Sequence, residues 1–407
     1  MYPMRITARR LAAFLLAFAA PALGGFPGLA RAQLFAPPPP SLLIDTSIRS
    51  AAMGGAGAAV LWGEPGAWAN PATLAGVNGV GWVTGTTHVL PGVEDDRVFS
   101  SQRLLIGGGG LGFSLMGQPL SGLGKAKLEY PPIPVPPFFT PGFQPYDLSE
   151  GWGVGGSPLR LIESVSKLAK HPRELTTYGD IVVGYQVKES KLQIDETFAL
   201  TEAETYDWGV AGKLALARFW GSDAPFRLDL SGSFSQVNVL RSGQQTGVVT
   251  TQFDRTGFAL HLSPAPPSER LASPPTLPWW RPGEVPELSL GLAYDHDQRH
   301  DEPFASETSG IDHFGFEANI FRLLALRVGY VSDPDGAIYA APPSISAARG
   351  VEGWTYGGGL TLPIGPWGSV GYQLASVPVV DAPDLDRPLR QGWALWIEPA
   401  RIWSDLR

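Results

Sequence analysis

The chain has 407 residues, 44% of them hydrophobic and 17% charged, and its net charge of −8 is spread along the sequence. It has no cysteine, which excludes disulfides, thiolate metal sites and a catalytic thiol, and no basic run of the kind that binds nucleic acid. The 50 Gly and 39 Pro would suit disorder, but 13 Trp and 11% aromatics fit many short strands joined by Gly/Pro turns.

Taken in chain order, the first element is an export signal. Arg5, Arg9 and Arg10 form a positive region, Leu11 to Ala20 a short apolar core, and Ala30-Arg31-Ala32 a small-x-small cleavage site. Residues 1–32 are therefore expected to be a signal peptide. The apolar core is too short to span a bilayer, and no later stretch approaches about 18 continuous apolar residues. If the mature chain spans a membrane, it must do so as a closed barrel, which leaves no backbone group unpaired in lipid.

Residues 33–78 come next. Met53-Gly54-Gly55-Ala56-Gly57-Ala58-Ala59 has little side-chain volume beyond Met53, so its backbone suits a crowded space or a sharp turn. Asn70-Pro71 fixes a turn. Trp62 and Trp68 are bulky anchors. The segment is either a flexible leader or a plug folded into a lumen.

From Gly79 onward the pattern has period two. Phe226, Leu228, Leu230 and Phe234 alternate with Arg227, Asp229, Ser231 and Ser233. Leu290, Leu292 and Tyr294 alternate with Gly291, Ala293 and Asp295, and Leu326, Val328 and Tyr330 with Arg327, Gly329 and Val331. Each run is near the ~10 residues that a tilted membrane strand needs, and Trp and Tyr gather near run ends, as at an interfacial girdle. The expected fold is all-β: an antiparallel transmembrane barrel of about fourteen strands over residues 79–407. Arg227, Arg327 and Lys213 should point inward, since a charge at the lipid midplane costs ~2–4 kcal/mol. Arg218 is an exception, since it shares the parity of Leu214 and Leu216, but it sits at a strand end beside Trp220, where the cost falls to ~0–1 kcal/mol.

The longest expected loop is 131–176, on the outer side. Its Pro-rich opening contains Phe138, Phe139 and Phe143. A helix follows over Ser157 to Lys170, with Ser157 as cap and Pro158 in its first turn. Leu161, Ile162, Val165 and Leu168 make one apolar stripe. That stripe either packs on the loop itself or forms an apolar platform at the barrel mouth. Asp295 to Glu302 is the densest ionisable cluster and is expected to be a solvated outer loop; no nucleophile stands at a recognisable spacing. Gly107–Gly110 lacks the Lys-Ser/Thr of a phosphate loop and suits a hairpin turn. No enzyme activity, cofactor or metal is expected.

Arg49-Ser50-Ala51-Ala52-Met53-Gly54-Gly55-Ala56, followed by Asn70-Pro71-Ala72, resembles the N-terminal signature of the FadL-like superfamily of outer-membrane barrels, closest to its PorV/PorQ branch. The resemblance implies a fourteen-stranded barrel in the cell outer membrane with the N-terminal segment as an internal hatch. It assigns Arg49, Met53, Gly54, Gly55, Asn70, Pro71 and Ala72 to the hatch and lateral gate. It implies passive uptake of a small hydrophobic ligand, captured at the outer loop and released sideways. The PorV-like alternative is a non-enzymatic scaffold for a secreted or surface protein. Outer-membrane lipids and the barrel-assembly machinery are the other expected partners. The chain departs from the pattern in ending on Trp403-Ser404-Asp405-Leu406-Arg407 rather than on an aromatic, and in its longer Pro-rich loops.

Overall fold

The structure is a computed structural model, and it describes residues 46–90, 94–116, 126–129, 146–168, 175–176, 178–193, 201–216, 226–240, 252–264, 288–299, 310–321, 323–333, 351–364, 368–378 and 389–397. The expected signal peptide and Arg218 lie outside the described residues.

The period-two runs form strands because one face is apolar and the other small or polar. They are β1 (Gly79–Leu90), β2 (Glu94–Gly108), β3 (Leu111–Met116), β4 (Ala126–Glu129), β5 (Tyr146–Gly156), β6 (Gly179–Gln193), β7 (Thr201–Ala215) and β8 (Phe226–Leu240). The remainder are β9 (Phe253–Pro264), β10 (Leu288–Arg299), β11 (Gly310–Ile320), β12 (Leu324–Asp333), β13 (Val351–Ile364), β14 (Gly368–Ser376) and β15 (Leu389–Ile397). Neighbours pair antiparallel in sequence order, and β1 pairs with both β2 and β15, so the sheet closes. β3 and β4 share one place in the wall, since both lie between β2 and β5. The fifteen strands therefore make a fourteen-place barrel.

Two strand boundaries differ from the sequence expectation. The stretch expected as loop 131–176 contains β5, which lacks a clean apolar alternation because Gly151, Gly153, Gly155 and Gly156 occupy four of its positions. Conversely, Glu189-Ser190, expected as a turn, lies inside β6 and pairs with Glu204 and Ala203. One strand missed and one strand split left the expected number unchanged.

The outer surface carries Phe113, Trp152, Val183, Phe258, Leu292, Phe314, Leu326, Trp354 and Trp393, all exposed. Cross-strand aromatic pairs ring it: Trp208 with Phe234, Tyr294 with Phe314, Tyr330 with Trp354, and Tyr372 with Trp393. A closed barrel with an apolar, aromatic-banded exterior is the surface a bilayer requires. The expected inward charges follow the alternation: Arg327 is buried in the lumen, and Lys213 pairs there with Asp229. Arg227, next to the strand's first residue, is exposed.

The lumen is filled by the N-terminal segment. It holds a one-turn helix, α1 (Ile48–Ala52), and a 3-10 turn (Pro71–Gly76), and its residues from Thr46 to Val77 are mostly buried. Glycines on the inner face of the wall make this possible. A Cβ at Gly184 of β6 would overlap the Pro71 carbonyl carbon, and one at Gly329 of β12 would overlap the backbone of Met53 and Gly54. Backbone-to-backbone packing of this kind leaves no room for a side chain. Of the two readings of residues 33–78, the described part is a plug, not a leader.

Candidate functional site: the hatch and the lumen above it

The hatch is fixed to the wall by charge and by hydrogen bonds to its own backbone. Arg49 on α1 makes a two-pronged contact with Glu317 of β11, at 2.8 and 2.7 Å. Its remaining terminal nitrogen donates to the carbonyls of Trp62 and Glu64, at 2.6 and 2.9 Å. Glu317 also accepts from Arg327 of β12 at 2.7 Å. Arg327 reaches Gln373 of β14, Gln373 donates to the Glu64 carboxylate, and that carboxylate pairs with Arg103 of β2. The polar chain thus crosses the lumen from β11 to β2 through the hatch. Charge-assisted, two-pronged bonds of this kind are stronger and more directional than neutral ones.

The small-residue run is held by its exposed peptide groups. Asp295 of β10 accepts from the N–H groups of Gly57 and Ala58, at 2.7 and 2.8 Å. Thr355 donates to the Ala52 carbonyl, Ser231 to Ala59 and Ser235 to Ala69. His313 lies 2.6 Å from the Gly54 carbonyl, with Asp297 on its other side, and Asp297 pairs with Arg255. Gly54 and Gly55 have φ of 70° and 93°, the left-handed region that glycine tolerates. This explains the small-residue composition: side chains here would displace the wall.

Asn70 caps the 3-10 turn by accepting from the Ala72 N–H at 2.9 Å, and its amide donates to the Ala58 carbonyl at 3.0 Å. Pro71 occupies the first turn, where it needs no N–H partner. The turn packs on β3, β5, β6 and β7, with Leu74 against Gly112 and Gly153. On β2 the ladder changes partners. β2 pairs with β4 over Val98–Ser101 and with β3 over Leu104–Gly108, leaving Gln102 and Arg103 between the two registers. The structure thus brings Arg49, Met53, Gly54, Gly55, Asn70, Pro71 and Ala72 together in one plug.

Toward the end of the barrel away from the hairpin turn at Gly109–Gly110 and the Ile320–Leu324 pair, the lumen changes character. Val237, Phe253, Ile311, Val331 and Val351 form one buried apolar cluster. Each shares the inward parity of a polar or small residue on its own strand: Ser235, Arg255, His313, Gly329 and Thr355. Barrel lumens are ordinarily polar, so this layer just beyond the Arg255–Asp297–His313 group is a departure. Sequence reasoning did not single these five out. The signal was present in Val331, an apolar residue closing the otherwise polar or small face of its strand.

Two expectations are corrected here. Leu161, Ile162, Val165 and Leu168 lie on helix α2 (Pro158–Leu168), which joins β5 to β6 at the hairpin-turn end: Ser164 donates to the Gly109 carbonyl and Ser157 N–H to Gly110. Phe138, Phe139 and Phe143 lie outside the described residues. The acidic-histidine cluster is not a solvated loop over its first five residues, because β10 continues through Arg299. Alternation sends Asp295 and Asp297 into the lumen and His296 outward, where it meets Asp312 at 2.9 Å.

No protein-family model matches the chain, and no curated protein matches its sequence. Among solved structures it is similar to the Pseudomonas putida toluene transporter TodX, with a TM-score of 0.40 and 11% identity over 89% of this chain and 98% of that one. The Ralstonia pickettii toluene transporter TbuX gives 0.40 and 11% over 86% and 97%. A Pseudomonas aeruginosa FadL homologue gives 0.37 and 8% over 86% and 96%.

Proposed function

We propose that the barrel is an outer-membrane channel for passive uptake of a small hydrophobic compound. The carrying observation is the inward apolar layer of Val237, Phe253, Ile311, Val331 and Val351. A hydrophobic compound crossing this layer gains about 25 cal/mol for each Å² of its own surface that it buries there. Below the layer the hatch blocks a straight path. The shift of β2 from β4 to β3 at Gln102–Arg103 supports a sideways exit through this part of the wall. A sideways exit is also the role that the superfamily resemblance implies for Asn70, Pro71 and Ala72. The movement is downhill and needs no cofactor. No feature described above favours the secretion-scaffold alternative.

Binding of a small aromatic hydrocarbon to the purified barrel, followed by native mass spectrometry, tests the reading. Replacing Ile311 and Val331 by Asp should weaken binding tenfold or more, a change of about 1.4 kcal/mol. Unchanged binding to that variant, or no binding to the wild-type barrel, would sink the proposal.

A further inference from the structure

Helix α2 sits at the hairpin-turn end and is tied to the barrel on one side only. Ser157 caps it by accepting from the Arg160 N–H. Arg160 pairs with Asp180 of β6 at 2.6 Å and donates to the Ala75 carbonyl at the end of the hatch turn. Ser164, one turn on, meets the β2–β3 turn. Glu163 holds the returning chain at Thr176. Ile162 and Val165, three residues apart and so on one face, point elsewhere and are 47% and 63% exposed.

Two observations identify what covers this face. First, the apolar exterior of the wall reaches the same end: Ile106 of β2, Leu111 of β3, Val183 of β6, and Leu175 and Tyr178 just before β6 are all exposed. Second, besides Arg160, which Asp180 already neutralises, residues 158–173 carry Lys167, Lys170 and Arg173 against the single acid Glu163. An apolar stripe with a basic remainder is the composition of a helix that lies in a membrane interface.

We propose that α2 is an interfacial helix. It rests in the leaflet at the hairpin-turn end of the barrel, with Ile162 and Val165 in the acyl boundary, and the basic composition of residues 158–173 favours a surface of anionic phospholipid. Because Arg160 also holds the hatch turn, the same helix couples the lipid surface to the hatch. The inference rests on the barrel spanning a bilayer and not on what it carries, so loss of hydrocarbon binding leaves it standing.

The natural absence of cysteine makes the test direct. Val165→Cys, Ile162→Cys and, on the lipid-facing wall, Phe113→Cys are each labelled with a nitroxide in the full mature barrel. The protein is reconstituted in vesicles of phosphatidylethanolamine and phosphatidylglycerol, and heat-resistant electrophoretic migration confirms that each variant is folded. Collision rates with oxygen, which concentrates in lipid, are compared with those of a water-soluble nickel chelate. The expected result is that labels at 162 and 165 favour oxygen, as at 113. Exchanging phosphatidylglycerol for phosphatidylcholine should then raise nickel access at 165. Labels at 162 and 165 that favour nickel would overturn the proposal and leave this face to water or a soluble partner. Nickel access unchanged by the lipid exchange would overturn its electrostatic half.

Discussion

Glu317 serves two guanidinium groups at once, Arg49 from the hatch and Arg327 from the wall, and all three are nearly excluded from solvent. Removing one partner of a buried ion pair leaves an uncompensated charge and costs about 3–5 kcal/mol. The three positions are therefore not equivalent. Glu317→Ala strands two cations, whereas Arg327→Ala leaves Glu317 still held by Arg49. Thermal unfolding in detergent should show the larger loss for Glu317→Ala, and equal midpoints for the two variants would refute this reading of the triad. Lys188 and Asp207 repeat the logic at 2.6 Å, with Lys188 also 4.0 Å from the centre of the Trp68 ring of the hatch. Lys188→Met alone should destabilise the barrel. Adding Asp207→Leu should restore much of the loss, because replacing both members by apolar groups removes the buried charge altogether.

At the level of elements, the hatch is held more by close backbone approach than by its own secondary structure. α1 has five residues and the 3-10 turn six, too few to be stable alone. Their stability comes from the wall, through Asp295, Ser231, Ser235 and Thr355 on its peptide groups and through the inner-face glycines. Gly184→Val places atoms where Pro71 now lies, so the barrel should still close while the hatch turn is pushed out of its seat. Trypsin should then cleave after Arg49, while the heat-resistant electrophoretic form of the barrel persists. Protection of Arg49 equal to wild type would show that the wall yields instead.

For the whole molecule, the decisive property is that the exterior meets lipid. Leu292 and Leu288 lie on the same face of β10 and are similarly exposed, at 53% and 46%, but Leu292 is mid-strand and Leu288 is the first residue. In water an arginine at either position would cost about the same. In a bilayer, Leu292→Arg should cost about 2–4 kcal/mol and Leu288→Arg about 0–1. Denaturant unfolding from lipid vesicles measures both, and equal costs would argue against a membrane-spanning wall.

The sequence by itself determined the barrel, because alternation with period two is a local property: each strand writes its inward and outward faces into its own residues. The small-residue run and Asn-Pro turn left a flexible leader and a plug both open, and only the resemblance to the FadL-like signature pointed to a hatch. Strand boundaries failed where the local signal was absent. β5 is rich in glycine because Gly153 and Gly155 face the hatch turn. The polar middle of β6 reads as a turn only until Lys188 is seen against Asp207. Tertiary structure alone decided which end of the barrel each connection occupies, so the apolar helix at 158–168 moved to the hairpin-turn end. It also gathered Val237, Phe253, Ile311, Val331 and Val351 from five strands into one layer. The physical reason is that no local pattern encodes the level at which strands far apart in sequence meet; that level is set by the register of the closed sheet.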